Sequence, residues 1–148
     1  MIPVVFATAC TFWAQLYDVP GELTCAILHV ETGGTYRNDL TGAAGEVGAA
    51  QIHQTAVPRL AREGWWCITS GLRTADGAAC AANALLDYWH RRCGGTWRDA
   101  ASAYNRGRCT PNARSRQYAT KVIARWHRTR PGAYQRRVER VERRLRWR

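Results

Sequence analysis

Apolar residues in this chain recur every three or four positions, and nowhere do they alternate with polar ones over any length. A recurrence near 3.6 puts them on one face of a helix. The chain therefore reads as all-α or nearly so, with no run of strands from which to build a large sheet. Glycine and proline cut the pattern into segments. The spacing predicts helices over 7–17, from Pro20 to Glu31, from Gly48 to about Glu63 with Pro58 as an interruption, and over 78–92. Further helices are predicted after a capping box at Thr96-Trp97-Arg98-Asp99, and from Ser115 as cap through Trp126. A last segment carries Tyr134, Val138, Val141 and Leu145 in one row. At 148 residues the chain is one domain with a single core, which we place at 1–130, followed by a basic amphipathic helix at 131–148.

The segment 26–52 concentrates the chemistry. Leu23, Ile27 and Glu31 lie four apart, with Ala26 and Val30 in adjoining rows, so Glu31 sits at the edge of an apolar stripe. Burial there disfavours the carboxylate. Gly33-Gly34 stops the helix, which leaves Glu31 near the negative end of the helix dipole. Both effects raise its pKa. A carboxylic acid that stays protonated near neutral pH is suited to donating a proton. The bland alternative is a solvated Glu in a last helical turn.

Charge and cysteines narrow the setting. Of 22 basic residues only Lys121 is lysine, and from Arg106 onward 15 basic residues face two acidic ones. The first 105 residues are nearly neutral, so the positive field belongs to the C-terminal part. Such a field favours polyanions, including nucleic acid, anionic lipid and acidic envelope polymers. The six cysteines are Cys10, Cys25, Cys67, Cys80, Cys93 and Cys109. They are dispersed, with no Cys-x-x-Cys and no zinc-type His spacing, which argues against a metal site. An even, dispersed set favours disulfides and an oxidising destination. Fifteen connectivities exist; Cys67–Cys80 and Cys93–Cys109 are the neighbouring pairs, and free buried thiols are the alternative. No apolar run is long enough to span a bilayer. The opening MIPVVFATACTFWAQ lacks a charged n-region and runs straight into an amphipathic helix, so it does not read as a signal peptide.

Three motifs carry a family resemblance. Glu31-Thr32-Gly33 is followed by Gly45-x-x-Gly48-x-x-Gln51-Ile52 and then by Ala103-Tyr104-Asn105-Arg106-Gly107. In this order, over roughly 6–126, they resemble the lytic transglycosylase domain of the goose-lysozyme-like superfamily. The resemblance implies a lysozyme-like fold with a cleft between helices, and peptidoglycan as substrate, cut between N-acetylmuramic acid and N-acetylglucosamine. It implies Glu31 as the single catalytic acid/base. It also implies Gln51, Tyr104, Asn105, Tyr118, Gly48 and Thr32 as residues lining or shaping the cleft, Gly45 as a loop glycine, an anhydro-muramoyl product and no cofactor. Thr32 stands in place of the commoner Ser, Arg114 where many members have Glu, and Arg106 where a small residue is usual. The loop after Glu31 is about two residues longer than is common in the family.

Alternatives of other classes remain. A hydrolase would use a second carboxylate to hold water, for which Asp39 and Glu46 are the candidates, and goose-type lysozymes hydrolyse on this fold. A non-enzymatic basic module would bind cell wall or nucleic acid through the arginine-rich end. An inactive wall-attachment relative is the third. His29 reads as structural, His53 as an ordinary residue with a place facing the cleft as the alternative, and Trp65 and Trp66 as core or as a distal sugar platform. A monomer acting on the bacterial wall, delivered by a bacteriophage as an endolysin or virion-associated lysin, is the setting we expect. The basic tail would bind an anionic envelope, with no specific nucleic acid partner.

Overall fold

The structure is a computed structural model that describes residues 1–56 and 71–129. Pro58, Trp65, Trp66, Cys67 and the amphipathic segment 131–148 lie outside these residues. Among the described residues the order is α1 (Val4–Tyr17), α2 (Gly21–Glu31), β1 (Glu46–Val47), β2 (Ile52–His53), a 3-10 turn (Gln54–Ala56), α3 (Ala75–Cys93), α4 (Trp97–Arg106) and α5 (Ala113–Thr129). The all-α expectation holds apart from the two-residue strands.

Helix ends follow local chemistry. Asp18 in the left-handed region closes α1, with its amide bonded to Ala14 O. Thr74 caps α3 by accepting from Gly77 N, and left-handed Gly94 ends it. Thr96 and Asp99 form the expected capping box of α4, which Gly107 terminates. At the start of α5 Ser115 is not the cap. Asn112 Oδ1 accepts from Ser115 N at 2.8 Å, and Ser115 Oγ accepts from Asn112 N at 2.9 Å. Ser115 is thus the third residue of a reciprocal box with Asn112 as its cap, and its hydroxyl lies 2.9 Å from Ser102 Oγ on α4.

The expected helix from Gly48 is corrected by the structure. Glu46 pairs with His53 and Val47 with Ile52 in an antiparallel hairpin, and Thr41 bridges Val47. Gly48 and Gln51 have φ of 73° and 48°, values that an α-helix excludes. The part of that helix expected beyond Ala56 lies outside the described residues. Apolar spacing misled here because Val47, Ala49, Ala50 and Ile52 are all buried, and a buried hairpin looks helical over so short a window.

The core forms around α2. Leu23 through Leu28 are buried without interruption, because α2 packs on α1, α3 and α5 together. α3 supplies small residues, Ala78 to Ala82 and Ala84, all nearly inaccessible, so neighbouring backbones come close. One buried polar group ties three helices. Asn83 of α3 accepts from Thr24 Oγ1 of α2 at 2.7 Å and donates to Ala79 O and to Cys10 O of α1. In Asn83→Leu the Thr24 hydroxyl loses its buried acceptor, so we expect a loss of about 2–3 kcal/mol in urea unfolding. A change below about 0.5 kcal/mol would mean that the network contributes little.

Candidate active site

Glu31 is the last residue of α2. Left-handed Gly33 and Gly34 turn the chain away immediately after it, and Gly34 N bonds to His29 O at 2.7 Å. A Cβ on Gly34 would lie 2.8 Å from His29 Cε1. Glycine is therefore required there on two counts, conformation and space. Thr32 is buried, and its hydroxyl donates to Leu28 O at 2.7 Å and accepts from Tyr36 N at 3.0 Å. That hydroxyl braces the turn behind Glu31.

The acid itself is held from α5. Tyr118, buried, donates its hydroxyl to Glu31 Oε1 at 2.6 Å. Burial pushes the Glu31 carboxyl up to about 7; the Tyr118 bond opposes this, the Glu46 charge adds to it, and the Arg114 charge opposes it. With Tyr118 on Oε1, the proton of the neutral acid belongs on Oε2, which has no hydrogen-bond partner among the described residues. Tyr118 thus leaves Oε2 to carry the proton of the neutral form and stabilises the ionised form.

A loop and hairpin stand beside Glu31. Gly42 N bonds to Glu46 O at 2.8 Å and Gly48 N to Leu40 O at 3.0 Å. A Cβ on Gly42 would overlap Glu46 Oε2 and come within 2.7 Å of Gln51 Oε1, and one on Gly48 would overlap the Leu72 carbonyl. The glycines let these side chains and backbones meet. Gln51 folds back, with Nε2 donating to Gly48 O at 2.8 Å, and Glu46 Oε2 accepts from Ala44 N at 3.0 Å. From α4, Tyr104 donates its buried hydroxyl to Ala50 O at 2.7 Å and fixes the turn before Gln51. Burial raises the pKa of both Tyr104 and Tyr118, and the Glu31 charge adds to it, which puts both tyrosines in its electrostatic reach. Asn105 is half-buried, without a side-chain hydrogen-bond partner among the described residues.

The two candidate second carboxylates separate. Asp39 is exposed and bound by Arg37 Nε and Nη2 at 2.9 and 2.5 Å, a pairing that lowers its pKa. Glu46, half-buried on β1, is the one whose charge acts on Glu31. His29 packs on Tyr36 with ring centroids 5.8 Å apart, in keeping with a structural role. His53 is exposed and bonded to Thr55 Oγ1 at 2.6 Å.

Sequence reading missed Arg73. Its Nη1 donates to Asp39 O at 2.9 Å and Leu40 O at 3.4 Å, and its Nη2 to Thr41 Oγ1 at 2.9 Å. These bonds clamp the loop from more than 30 residues away. No local pattern announces such a partner.

The family model for the transglycosylase SLT domain matches residues 9–126. The chain belongs to that family, a class of peptidoglycan-degrading lytic transglycosylases that act on the cell wall. Comparison with curated proteins gave no match. A disulfide joins Cys93 at the end of α3 to Cys109 before α5. Cys80 is disulfide-bonded as well; the expected Cys67–Cys80 pairing involves a residue outside those described. No helix among the described residues is long and apolar enough to cross a membrane, and no group of metal-ligating side chains occurs among them.

Two predictions follow from the Glu31 environment. In Tyr118→Phe the bond that favours the anion is lost, so the alkaline limb of the rate profile should move above pH 7, while the acid plateau falls roughly tenfold. An unchanged profile would remove Tyr118 from the acid's control. The second concerns stability. The folded pKa of about 7 exceeds the ordinary 4.5, so the fold binds more protons and loses stability as pH rises between these values. Glu31→Gln should therefore melt near wild type at pH 4 and above it at pH 8. Equal melting at both would mean that Glu31 titrates normally.

Proposed function

We propose that Glu31 is the single general acid/base of a lytic transglycosylase that cuts the bond between N-acetylmuramic acid and N-acetylglucosamine in peptidoglycan. The observation that carries this reading is the part-buried Tyr118–Glu31 hydrogen bond of 2.6 Å on a carboxyl raised to about 7. Glu31 Oε2 gives its proton to the bridging oxygen as the glycosidic bond breaks. The carboxylate then takes the proton of the C6 hydroxyl of the same muramoyl ring. That oxygen bonds to C1, closing the anhydro ring, and Glu31 is protonated again. An internal nucleophile needs no water-holding group, and its proximity supplies much of the acceleration.

The surrounding residues divide the remaining work. Asn105 offers an unengaged amide to the sugar and its acetamido group. Gln51, with Oε1 above Gly42, lines the wall beside the scissile bond. Tyr104, Thr32 and Gly48 hold the shape of that wall and of the turn behind the acid. The setting we favour is a monomeric lysin of bacteriophage origin, with the arginine-rich C-terminal end drawn to an anionic envelope.

A second reading has its own observation. Glu46 is close enough for its charge to raise the Glu31 pKa, and a carboxylate opposite the acid is what a muramidase uses to activate water. Mass spectrometry of purified peptidoglycan digested with wild type, Glu31→Gln and Glu46→Gln separates the two. Anhydro-muramoyl ends from wild type and Glu46→Gln, absent with Glu31→Gln, are the expected result. Reducing muramoyl ends that vanish in Glu46→Gln would establish the hydrolase instead. Products that persist in Glu31→Gln would overturn the role of Glu31.

A further inference from the structure

Cys10 and Cys25 are buried free thiols, and no step of the proposed reaction uses them. They belong to two antiparallel helices whose register can be read from their contacts. Phe6, Cys10 and Ala14 follow one another at one-turn intervals on α1, and Gly21 and Cys25 do so on α2. A Cβ on Gly21 would stand 3.4 Å from Ala14 Cβ and 3.6 Å from Cys10 O, so Gly21 faces the turn between Cys10 and Ala14. One turn on, Cys25 Sγ lies 3.8 Å from Phe6 O, so Cys25 faces the turn between Phe6 and Cys10. Side chains on α1 lean toward its N-terminus, so the Cys10 side chain, buried like that of Cys25, is directed at that same step. Gly21 permits the close helix approach that brings them together.

We propose that Cys10 and Cys25 are a disulfide site that staples α1 to the helix carrying Glu31, in addition to the disulfides at Cys93–Cys109 and at Cys80. The chain already carries disulfides at Cys93–Cys109 and at Cys80, which require an oxidising environment. The same oxidant class, a low-molecular-weight disulfide or a thiol-disulfide oxidase, serves this pair. One cysteine thiolate attacks the oxidant's S–S bond and displaces one thiolate, giving a mixed disulfide. The second cysteine thiolate then attacks the protein sulfur and displaces the other. Two protein thiols are oxidised, two electrons pass to the oxidant, and two thiols of the oxidant leave with the protons. The neighbouring Cys25 side chain and burial hold the folded Cys10 thiol in its protonated form, so the exchange belongs to the stage before α1 closes on α2.

The test refolds the denatured, reduced chain in a glutathione redox buffer, then denatures it with N-ethylmaleimide present and maps the peptides. The expected result is a Cys10–Cys25 linked peptide, no maleimide on either residue, and Cys93–Cys109 linked in the same sample. Maleimide on both Cys10 and Cys25 while Cys93–Cys109 is linked would overturn the proposal, as would a link from Cys10 to any other cysteine. A second readout is thermal. The double variant Cys10→Ala, Cys25→Ala should melt roughly 5–10 °C below the oxidised wild type. Equal melting would deny the bond its stapling role. Neither readout depends on glycan cleavage, so the outcome is separable from the assignment of Glu31.

Discussion

The structure depends on a helix that is buried almost all the way round. α2 has no solvent face between Leu23 and Leu28, and three other helices close on it. A helix so enclosed has little freedom to rotate or slide, because any shift would open voids against α3's alanines and break the Thr24–Asn83 bond. The carboxyl at its end inherits that rigidity. Glu31 is held at a fixed depth in a low-dielectric surround, and that depth is the largest influence on its proton affinity. The cost is a partly buried ionisable group, which the fold tolerates because Tyr118 satisfies one oxygen in either protonation state.

The site assembles from both halves of the sequence. The acid comes from α2, its hydrogen-bond partner from α5, the wall from the glycine-rich hairpin, and the brace on that wall from α4 through Tyr104. The Arg37–Asp39 pair is solvent-exposed on the outside of the loop, whereas Glu46 turns inward over Gly42. The same segment thus holds one carboxylate neutralised by a surface arginine and another left to act on the acid. Arg114 adds an opposing charge. The proton affinity of Glu31 is therefore a balance between its depth, one tyrosine, one carboxylate and one arginine.

Much of this was legible in the sequence. The spacing of Leu23, Ile27 and Glu31, with the glycine pair behind, put Glu31 at the edge of the apolar stripe, where burial raises its pKa. The capping box at Thr96 and the stop at Gly94 were local signals and came out as local structure. The hairpin at 46–53 was not legible, because its alternation spans only two residues per strand and every apolar side chain in it is buried. Ser115 was assigned the capping role that Asn112 fills, since either residue type can cap and only the reciprocal bonds distinguish them. The resemblance pointed to Tyr104, and the structure shows its hydroxyl committed to the Ala50 carbonyl. Arg73 gave no signal because its partners are backbone carbonyls and a hydroxyl far away in sequence.

The Arg73 clamp has a consequence for the order in which competence is acquired. The helices are local objects, but the loop beside Glu31 is held by contacts between distant parts of the chain, from Arg73 to residues more than 30 positions earlier and from Leu72 to Gly48. Contacts of that range close only after the chain between them has been brought in, and their entropy cost comes before their reward. A chain with its helices formed and this loop undocked would carry the acid with nothing opposite it. That loop thus carries a closure cost the helices do not, and Glu31 has its full set of neighbours only when the loop is docked.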